Sequence, residues 1–322
     1  MKVIITDCDH ANIDIERDVL NKAGISFELK QCVTEEDLIE QCQGAEIFIN
    51  QYAPITRKVM EALPDLKFVV RYGVGVNNVD VAAATELGVQ IGNVPDYGMN
   101  EVADEAIALM MALTRKIVIM NDYTKNVKWD YARAIPVRRP TTQTVGVMGL
   151  GRIGRNFAEK AHAIGYNVIG YDPYYTPSED KGTGYIKSVS LDELIVQSDI
   201  ISIHCPLTPE VANIFNKETF KKMRNHAYLI NVARGGIINE DDLVWAVENG
   251  EIAGAGIDCV LHEPMKPGAP LLGNENIIVT PHMAWYSEEA AEELKRKVAE
   301  ESVRYAKGEA IVYPVNKPEK SR

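Results

Sequence analysis

The stretch Thr144-Val145-Gly146-Val147-Met148-Gly149-Leu150-Gly151-Arg152-Ile153-Gly154 decides the fold of this chain. An apolar run alternating with small residues leads into three glycines with the spacing G-x-G-x-x-G. A helix-like segment, Arg155–Ile164, follows, and a second apolar run, Tyr166–Tyr171, ends at Asp172. Strand, glycine turn, helix, strand and acid is the order that a dinucleotide site requires. The sequence therefore predicts a nucleotide site near the middle of the chain.

The glycines and the acid have separate physical roles. Gly149 permits the tight turn, Gly151 lets the backbone approach a pyrophosphate, and Gly154 lets helix and strand pack closely. The free N–H groups at the start of the helix then face the anion. A carboxylate at Asp172 accepts hydrogen bonds from the adenosine ribose and repels a 2′-phosphate, and Pro173-Tyr174-Tyr175 supplies no arginine. We therefore expect NAD as the cofactor.

Composition limits the class of protein. The 322 residues suffice for about two domains. A hydrophobic content of 46% and a charged content of 25% are typical of a globular protein. The formal net charge of -12 argues against nucleic acid or an anionic membrane as a partner, because both attract basic patches. No apolar run reaches the roughly 18 residues of a membrane span.

The cysteines and the N terminus predict the compartment. Met1–Asp7 turns acidic at once, which favours a first strand over a signal peptide. The cysteines are odd in number and scattered, a spacing that fits neither a disulfide framework nor a zinc site. We therefore expect a reducing cytoplasm and no metal site. The cysteines are Cys8, Cys32, Cys42, Cys205 and Cys259.

Strand-like and helix-like segments alternate along the whole chain. Such alternation predicts an α/β fold with parallel sheets covered on both faces. In the first unit the predicted strands are Lys2–Thr6, Ser26–Lys30, Ala45–Asn50, Leu66–Tyr72 and Val89–Val94, and the helices are Ile15–Ala23, Glu35–Cys42, Thr56–Leu63 and Val79–Leu87. After the glycine turn the strands are Ile200–His204, Ala227–Val232, Ala253–Ile257 and Asn276–Thr280, with helices at Leu191–Gln197, Lys217–Met223 and Glu240–Glu248.

Three further segments complete the predicted organisation. Glu101–Ile119, with alanine and methionine on several faces, predicts one long buried helix that begins the second unit. Asn126–Thr142 lacks periodicity and predicts an exposed loop. Glu288–Lys307 predicts a final amphipathic helix that folds back on the first unit.

Polar residues follow the strands of the second unit. Because ligands gather beyond the carboxyl ends of parallel strands, Arg234, Glu263 and His282 should converge where the nucleotide lies. Hydride transfer at a carbon requires proton exchange at its oxygen, and histidine is the natural acid/base near neutral pH. A carboxylate fixes the orientation of the imidazole, and arginine binds a substrate carboxylate bidentately. These residue types together indicate reduction of a 2-oxo acid.

The loop Arg71–Asn78 of the first unit allows two interpretations. It is either an ordinary turn or a cradle of backbone N–H groups that binds an anion. The residues alone favour neither.

The chain resembles the D-isomer-specific 2-hydroxyacid dehydrogenases over nearly its whole length. The segments that carry the resemblance are Gly73-Val74-Gly75 with Asn78-Val79-Asp80, the glycine turn, His204-Cys205-Pro206, Asn231-Val232-Ala233-Arg234-Gly235, Asp258 to Glu263-Pro264, and Thr280-Pro281-His282. The resemblance implies a flavodoxin-like substrate domain from residues 1–98 and 285–322. It also implies a Rossmann NAD-binding domain from residues 99–284, a cleft between the two, and a homodimer.

The resemblance also assigns roles by position. It implies that Arg234 binds substrate, that Glu263 supports the acid/base, and that His282 exchanges the proton. The implied substrate contacts are Tyr72, Gly73, Val74, Gly75, Arg234, His282 and Trp285. The implied NAD contacts are Gly149, Gly151, Arg152, Ile153, Gly154, Asp172, His204, Cys205, Pro206, Thr208, Val232, Ala233, Arg234, Asp258 and His282.

Two segments depart from the commonest family pattern. Met283-Ala284-Trp285-Tyr286-Ser287 follows the histidine where many members carry small residues, and it looks like the C-terminal binding protein branch. Trp285 would then cover the substrate side chain and favour an apolar or aromatic 2-oxo acid, or else it serves only packing. Val102-Ala103-Asp104-Glu105 also stands where members often carry a glutamate followed by a histidine.

The leading hypothesis is thus an NAD-dependent dehydrogenase of a D-2-hydroxy acid. A phosphoglycerate dehydrogenase or a glyoxylate/hydroxypyruvate reductase is the alternative among enzymes, and a phosphorylated substrate would favour extra cations such as Arg57 and Arg71. An NAD(H)-sensing interaction protein of the C-terminal binding protein type is the alternative from another class.

Overall fold

The computed structural model describes residues 1–322, which form two compact units. The first unit comprises Met1–Gly98 and Ser287–Arg322, and the second comprises Met99–Tyr286. None of the helices is both long and apolar enough to cross a membrane.

The first unit is built on a five-stranded parallel sheet with the strand order β2-β1-β3-β4-β5. Every residue of the central strand β3 is buried, because helices cover both faces of a parallel sheet. The strands are β1 (Val3–Ile5), β2 (Phe27–Leu29), β3 (Ile47–Asn50), β4 (Phe68–Arg71) and β5 (Gln90–Gly92). The helices are α1 (Asp14–Lys22), α2 (Glu35–Gln41), α3 (Arg57–Ala62) and α4 (Val81–Leu87).

The second unit contains a seven-stranded parallel sheet with the order β12-β11-β10-β9-β6-β7-β8. The α/β class and the two parallel sheets that the sequence predicts are therefore confirmed. In chain order this unit comprises α5 (Met99–Thr114), α6 (Ile117–Asn126), β6 (Thr144–Met148), α7 (Arg152–Ile164), β7 (Asn167–Tyr171), β8 (Lys187–Ser188), α8 (Leu191–Gln197), β9 (Ile200–Ile203), α9 (Lys217–Phe220), β10 (Tyr228–Asn231), α10 (Glu240–Glu248), β11 (Gly254–Ile257) and β12 (Ile277–Val279).

The last helix, α11 (Glu288–Ala306), belongs to the first unit. The Nζ atom of Lys295 donates to the backbone oxygen of Asn12 at 2.7 Å, just before α1. Further along, the side chain of Asn316 accepts from the N–H of Ile91 at 2.7 Å and donates to the oxygen of Val89 at 2.9 Å. These contacts fix the C-terminal segment to β5 and to the start of α1.

The single long helix predicted for Glu101–Ile119 is wrong. The chain forms two helices there, and the break falls at Lys116, whose backbone adopts the left-handed region with φ of 54°. Apolar residues continue across the break, so the hydrophobic pattern alone hides it. The second of these helices, α6, has no buried residue.

Asp199 connects three elements of the second unit and is almost fully buried, with 5% of its side chain exposed. Its carboxylate accepts from the N–H of Thr144 at 2.7 Å and from Arg224 and His226 at 2.8 Å each. Burial alone would raise the pKa of Asp199, but the hydrogen bonds from Thr144, Arg224 and His226 and the charge of Arg224 outweigh it and hold that pKa below its ordinary value. The ionised carboxylate therefore stabilises the folded state.

We expect Asp199→Asn to lower the free energy of unfolding of the second unit by about 1–3 kcal/mol at pH 7, because hydrogen bonds to a charged group are weakened. The folded pKa is lowered, so the difference from wild type should be full above the ordinary aspartate value of about 4 and should vanish as the pH falls through the lowered value. The three tryptophans, Trp129, Trp245 and Trp285, all lie in this unit, so urea denaturation followed by tryptophan fluorescence reports on it.

The matched control is Asp192→Asn. Asp192 is 82% exposed and 3.4 Å from Lys222, a surface pair that contributes at most about 1 kcal/mol. Equal destabilisation by both substitutions would contradict the role assigned to Asp199.

Candidate active site

The glycine turn joins β6 to α7 where the strand order of the second sheet reverses. β7 lies on one side of β6 and β9 on the other, and such a switch point forms the ligand crevice of a doubly wound sheet. A Cβ on Gly154 would lie 1.9 Å from the oxygen of Gly149, so a side chain there would break the packing of turn and helix. A Cβ on Gly151 would meet nothing within 4 Å, and α7 begins at the next residue. The turn therefore packs tightly at Gly154 and leaves space beside Gly151 at the helix N terminus. A pyrophosphate can occupy that space and accept hydrogen bonds from the N–H groups of the helix.

Asp172 lies at the end of β7, immediately beside this turn. One carboxylate oxygen accepts from the N–H of Leu150 and the other from the N–H of Tyr174, each at 2.7 Å. The acid therefore fixes the middle of the glycine turn to the end of the neighbouring strand. Each oxygen keeps capacity for a further donor, such as a ribose hydroxyl.

The segment after β9 contacts the same turn. A Cβ on Gly149 would lie 2.8 Å from the backbone nitrogen of Cys205, so this loop packs directly on the turn. Nε2 of His204 lies 2.8 Å from Oγ of Ser202, and burial lowers the pKa of His204 to about 3. The ring is therefore neutral at physiological pH and packs against Phe157. Pro206 is exposed and Thr208 is half-buried in the loop that continues from here.

Arg234 follows β10 on a loop that Asn231 braces. The side chain of Asn231 accepts from the N–H of Ala233 at 3.0 Å and donates to the oxygen of Arg234 at 2.9 Å. Next to the arginine, a Cβ on Gly235 would lie 2.0 Å from the backbone carbon of Val260. Only glycine allows the loop after β10 to approach the loop after β11 this closely.

His282 and Glu263 form a hydrogen-bonded pair. Nδ1 of His282 lies 2.6 Å from Oε2 of Glu263, and the other carboxylate oxygen accepts from the N–H of Val260 at 3.0 Å. Burial alone would raise the pKa of Glu263, but the bonds from His282 and Val260 and the charge of Arg234 outweigh it and hold that pKa below its usual value. Glu263 is therefore an anion at neutral pH, and Nδ1 of the imidazole must be the donor to it.

Asp258 holds the loop that carries His282. Its carboxylate accepts from Oγ1 of Thr280 at 2.7 Å, from the N–H of Met283 at 2.9 Å and from the N–H of Ala284 at 3.1 Å. Its backbone oxygen accepts from the N–H of His282 at 2.9 Å. His282 has φ of 51°, the left-handed region that costs a non-glycine residue about 1–3 kcal/mol. The sequence places Asp258 at this edge, but nothing in its pattern shows that its carboxylate organises the histidine loop.

Trp285 and Glu105 stand in the two segments where the sequence departs from the commonest family pattern. Trp285 is half-buried in the second unit and meets Tyr286 edge to face, with ring centroids 5.5 Å apart. Glu105 of α5 occupies a position where the sequence departs from the family pattern, and it lies near Asp258. Burial and the charge of Asp258 raise the pKa of Glu105.

The loop after β4 in the first unit has the geometry of a turn with unused donors. The hydroxyl of buried Tyr72 donates to Glu16 at 2.8 Å, which anchors the start of the loop. Gly73 has φ of 113°, a conformation that favours glycine. The backbone N–H groups of residues 73–76 donate to no acceptor in the protein. Val74 is 43% exposed.

Comparison with known proteins identifies the family to which the chain is similar. The sequence model of the D-isomer specific 2-hydroxyacid dehydrogenase, NAD binding domain, matches residues 107–284. The chain is 35% identical over 302 residues to D-3-phosphoglycerate dehydrogenase of Archaeoglobus fulgidus. The matched region is 94% of this chain but only 57% of that protein. It is 34% identical over 324 residues to hydroxypyruvate reductase of Blautia hydrogenotrophica, covering 97% of this chain and 98% of that protein.

A solved structure extends the likeness to the whole fold. D-lactate dehydrogenase from Aquifex aeolicus, complexed with NAD and lactic acid, matches with a TM-score of 0.88 and 26% identity over 98% of this chain and 100% of that chain. The family model matches more than half of this chain, and the hydroxypyruvate reductase is more than 30% identical over nearly the full length of both proteins. The chain therefore belongs to the D-isomer specific 2-hydroxyacid dehydrogenase family and carries that family's NAD-binding domain.

Proposed function

We propose that this protein is an NAD-dependent oxidoreductase that interconverts a 2-oxo acid and a D-2-hydroxy acid. The observation that carries the proposal is the 2.6 Å pair of His282 and Glu263 at the carboxyl edge of the sheet that bears the glycine turn. Bound NAD would supply or accept the hydride. The residues that would hold it are those of the glycine turn and Asp172, with the segments after β9, β10 and β11.

His282 exchanges the proton that the reaction requires. Glu263 accepts from Nδ1, so the remaining nitrogen, Nε2, faces the substrate oxygen. In reduction Nε2 gives a proton to that oxygen, and in oxidation it takes one. Glu263 fixes the tautomer and stabilises the imidazolium, as the acid of a catalytic triad does.

Two groups would bind the carboxylate of the substrate. Arg234 offers a guanidinium fork that suits a carboxylate and polarises the neighbouring carbonyl. The unused backbone donors of residues 73–76 support the anion-cradle interpretation of that loop over the ordinary turn. Under this proposal the first unit is the substrate domain and the second unit is the NAD-binding domain.

We propose an apolar or aromatic 2-oxo acid as the substrate. The indole of Trp285, in the loop that follows His282, would cover the side chain of such a substrate. Arg57, one of two cations that could bind a substrate phosphate, already pairs with Glu61 and Glu86. This pairing weighs against phosphohydroxypyruvate, although the Archaeoglobus relative is named D-3-phosphoglycerate dehydrogenase.

We further propose that the protein is a cytoplasmic homodimer. Large apolar side chains of α6 and the loop after it are exposed to an unusual degree, and such patches mark interaction surfaces. All five cysteines are free thiols, which supports a reducing compartment. Sedimentation velocity should give twice the mass of one chain, and a monomer would contradict the proposal. The exposed residues are Ile117, Val118, Val127, Trp129, Tyr131 and Ile135.

The reaction is tested by NADH oxidation with a panel of glyoxylate, pyruvate, hydroxypyruvate, phenylpyruvate and phosphohydroxypyruvate. We expect turnover, with the highest kcat/KM for an apolar or aromatic acid. Trp285→Ala should lower kcat/KM for phenylpyruvate by about tenfold or more and affect glyoxylate little, because a hydrophobic contact is lost only with the larger substrate. Equal losses would favour a packing role for Trp285. Tight NADH binding without turnover of any acid would favour an NAD(H)-sensing protein instead.

His282→Ala should lower kcat by about 10²–10⁴-fold, because general acid/base catalysis contributes that much. The measurement is steady-state NADH oxidation with the best acid of the panel. His262→Ala is the matched control, since His262 is exposed in the loop that carries Glu263. An unchanged rate in the His282 variant would refute its role.

Asp172→Ala should reduce the preference for NADH over NADPH by about 10–100-fold, because a charge-assisted hydrogen bond and a repulsive charge are both removed. The ratio of kcat/KM for the two cofactors is the proper readout, since damage to the glycine turn would weaken both equally. Asp180→Ala, at an exposed acid that follows β7, is the control. A ratio that stays at the wild-type value would overturn the role of Asp172.

A further inference from the structure

Cys259 lies directly beneath the pair of His282 and Glu263. A thiol sulfur, a carboxylate oxygen and an imidazole nitrogen of these three residues lie within 4.8 Å of one another. The thiol is buried, with Cys259 2% exposed, whereas the side chains of Glu263 and His282 are 38% and 42% exposed. The cluster therefore has an open side and a thiol at its base.

The three ligand types are those that zinc prefers. Zinc binds cysteine sulfur at about 2.3 Å and histidine nitrogen or carboxylate oxygen at about 2.0–2.2 Å. Two ligands of one tetrahedral ion are then between about 3 and 4 Å apart, so the exposed side chains need only small rotations. Three protein ligands leave a fourth position for water. Thiolate also selects zinc over magnesium, which prefers oxygen ligands alone.

The local charges favour a cation. Glu263 is an anion, and the carboxylate of Asp258 lies 3.9 Å from Sγ of Cys259. Arg234 acts in the opposite direction, but it contributes one positive charge against two carboxylates and the thiolate that forms on binding. Burial and the two carboxylates raise the pKa of the Cys259 thiol, so the ion must displace its proton into solvent.

We propose that Cys259, Glu263 and His282 form a site for a single zinc ion, and that occupation of this site inactivates the enzyme reversibly. The sequence hides the site because its ligands follow two different strands, β11 and β12, that the parallel sheet brings together. The expectation of no metal site rested on cysteine spacing alone, and this site needs only one cysteine.

The inactivation follows from the chemistry of the imidazole. A nitrogen that binds zinc cannot also bind a proton, so metal-bound His282 cannot become the imidazolium that gives a proton to the substrate. Coordination also draws the carboxylate of Glu263 away from its hydrogen bond with Nδ1. This consequence rests on the function proposed above, whereas binding of the ion does not.

Binding is tested with Co²⁺, which replaces zinc and shows a thiolate-to-cobalt charge-transfer band in the near ultraviolet. Full-length protein, freed of metal with a chelator and kept reduced with a phosphine, should develop the band at one equivalent of Co²⁺ and lose it on addition of Zn²⁺. Cys259→Ser should abolish the band, and Cys32→Ser, at a buried thiol of the first unit, should retain it. If the Cys259 variant does not fold, Glu263→Gln serves instead and should weaken Co²⁺ binding by at least tenfold. No band in wild type, or a band that survives in Cys259→Ser, would overturn the proposal.

Inactivation is tested with the same proteins. Zn²⁺ should inhibit NADH oxidation by wild type and by Cys32→Ser, and a chelator should restore the rate. The inhibition constant should rise at least tenfold in Cys259→Ser. If no 2-oxo acid is turned over but the cobalt band forms, the proposed function fails and the zinc site stands. If turnover is normal and the band is absent, only the zinc site fails.

Discussion

The buried carboxylate of Asp258 is the constraint on which the rest of the site depends. Three hydrogen bonds from Thr280, Met283 and Ala284 to this carboxylate hold the loop after β12. Each bond to a charged acceptor contributes about 1.5–3 kcal/mol, so together they exceed the roughly 1–3 kcal/mol that the left-handed backbone of His282 costs. The histidine therefore keeps an unfavourable conformation that directs Nδ1 at Glu263.

Much of this arrangement could be predicted from the sequence, because parallel strands have a simple geometry. The carboxyl ends of such strands meet at one edge, so Arg234, Glu263 and His282 could be placed on that edge from their positions after predicted strands. The glycine turn was predictable for the same reason, since Gly149 and Gly154 must approach other backbone. The structure shifts only the start of α7, from Arg155 to Arg152.

What the sequence could not provide depends on single backbone angles and on side-chain direction. The left-handed residue Lys116 divides the helix predicted for Glu101–Ile119, yet apolar residues continue on both sides of it. β8 has two residues and is too short to form a pattern. The carboxylate of Asp258 bonds to backbone N–H groups, which every residue type possesses, so no motif marks its partners.

The same physical arrangement underlies both the proposed catalytic pair and the proposed zinc site. An acid/base histidine needs a neighbouring carboxylate, and a loop of fixed shape must bring the two within hydrogen-bond distance. Any such pair already supplies two ligands at nearly the right separation for a transition metal. A third ligand on an adjacent strand end then completes a site without any change of fold. Cys259 occupies that position because it follows Asp258, whose own place is fixed by the end of β11. The thiol thus lies beside Glu263 and His282 as a consequence of the same strand register that brings these two residues together.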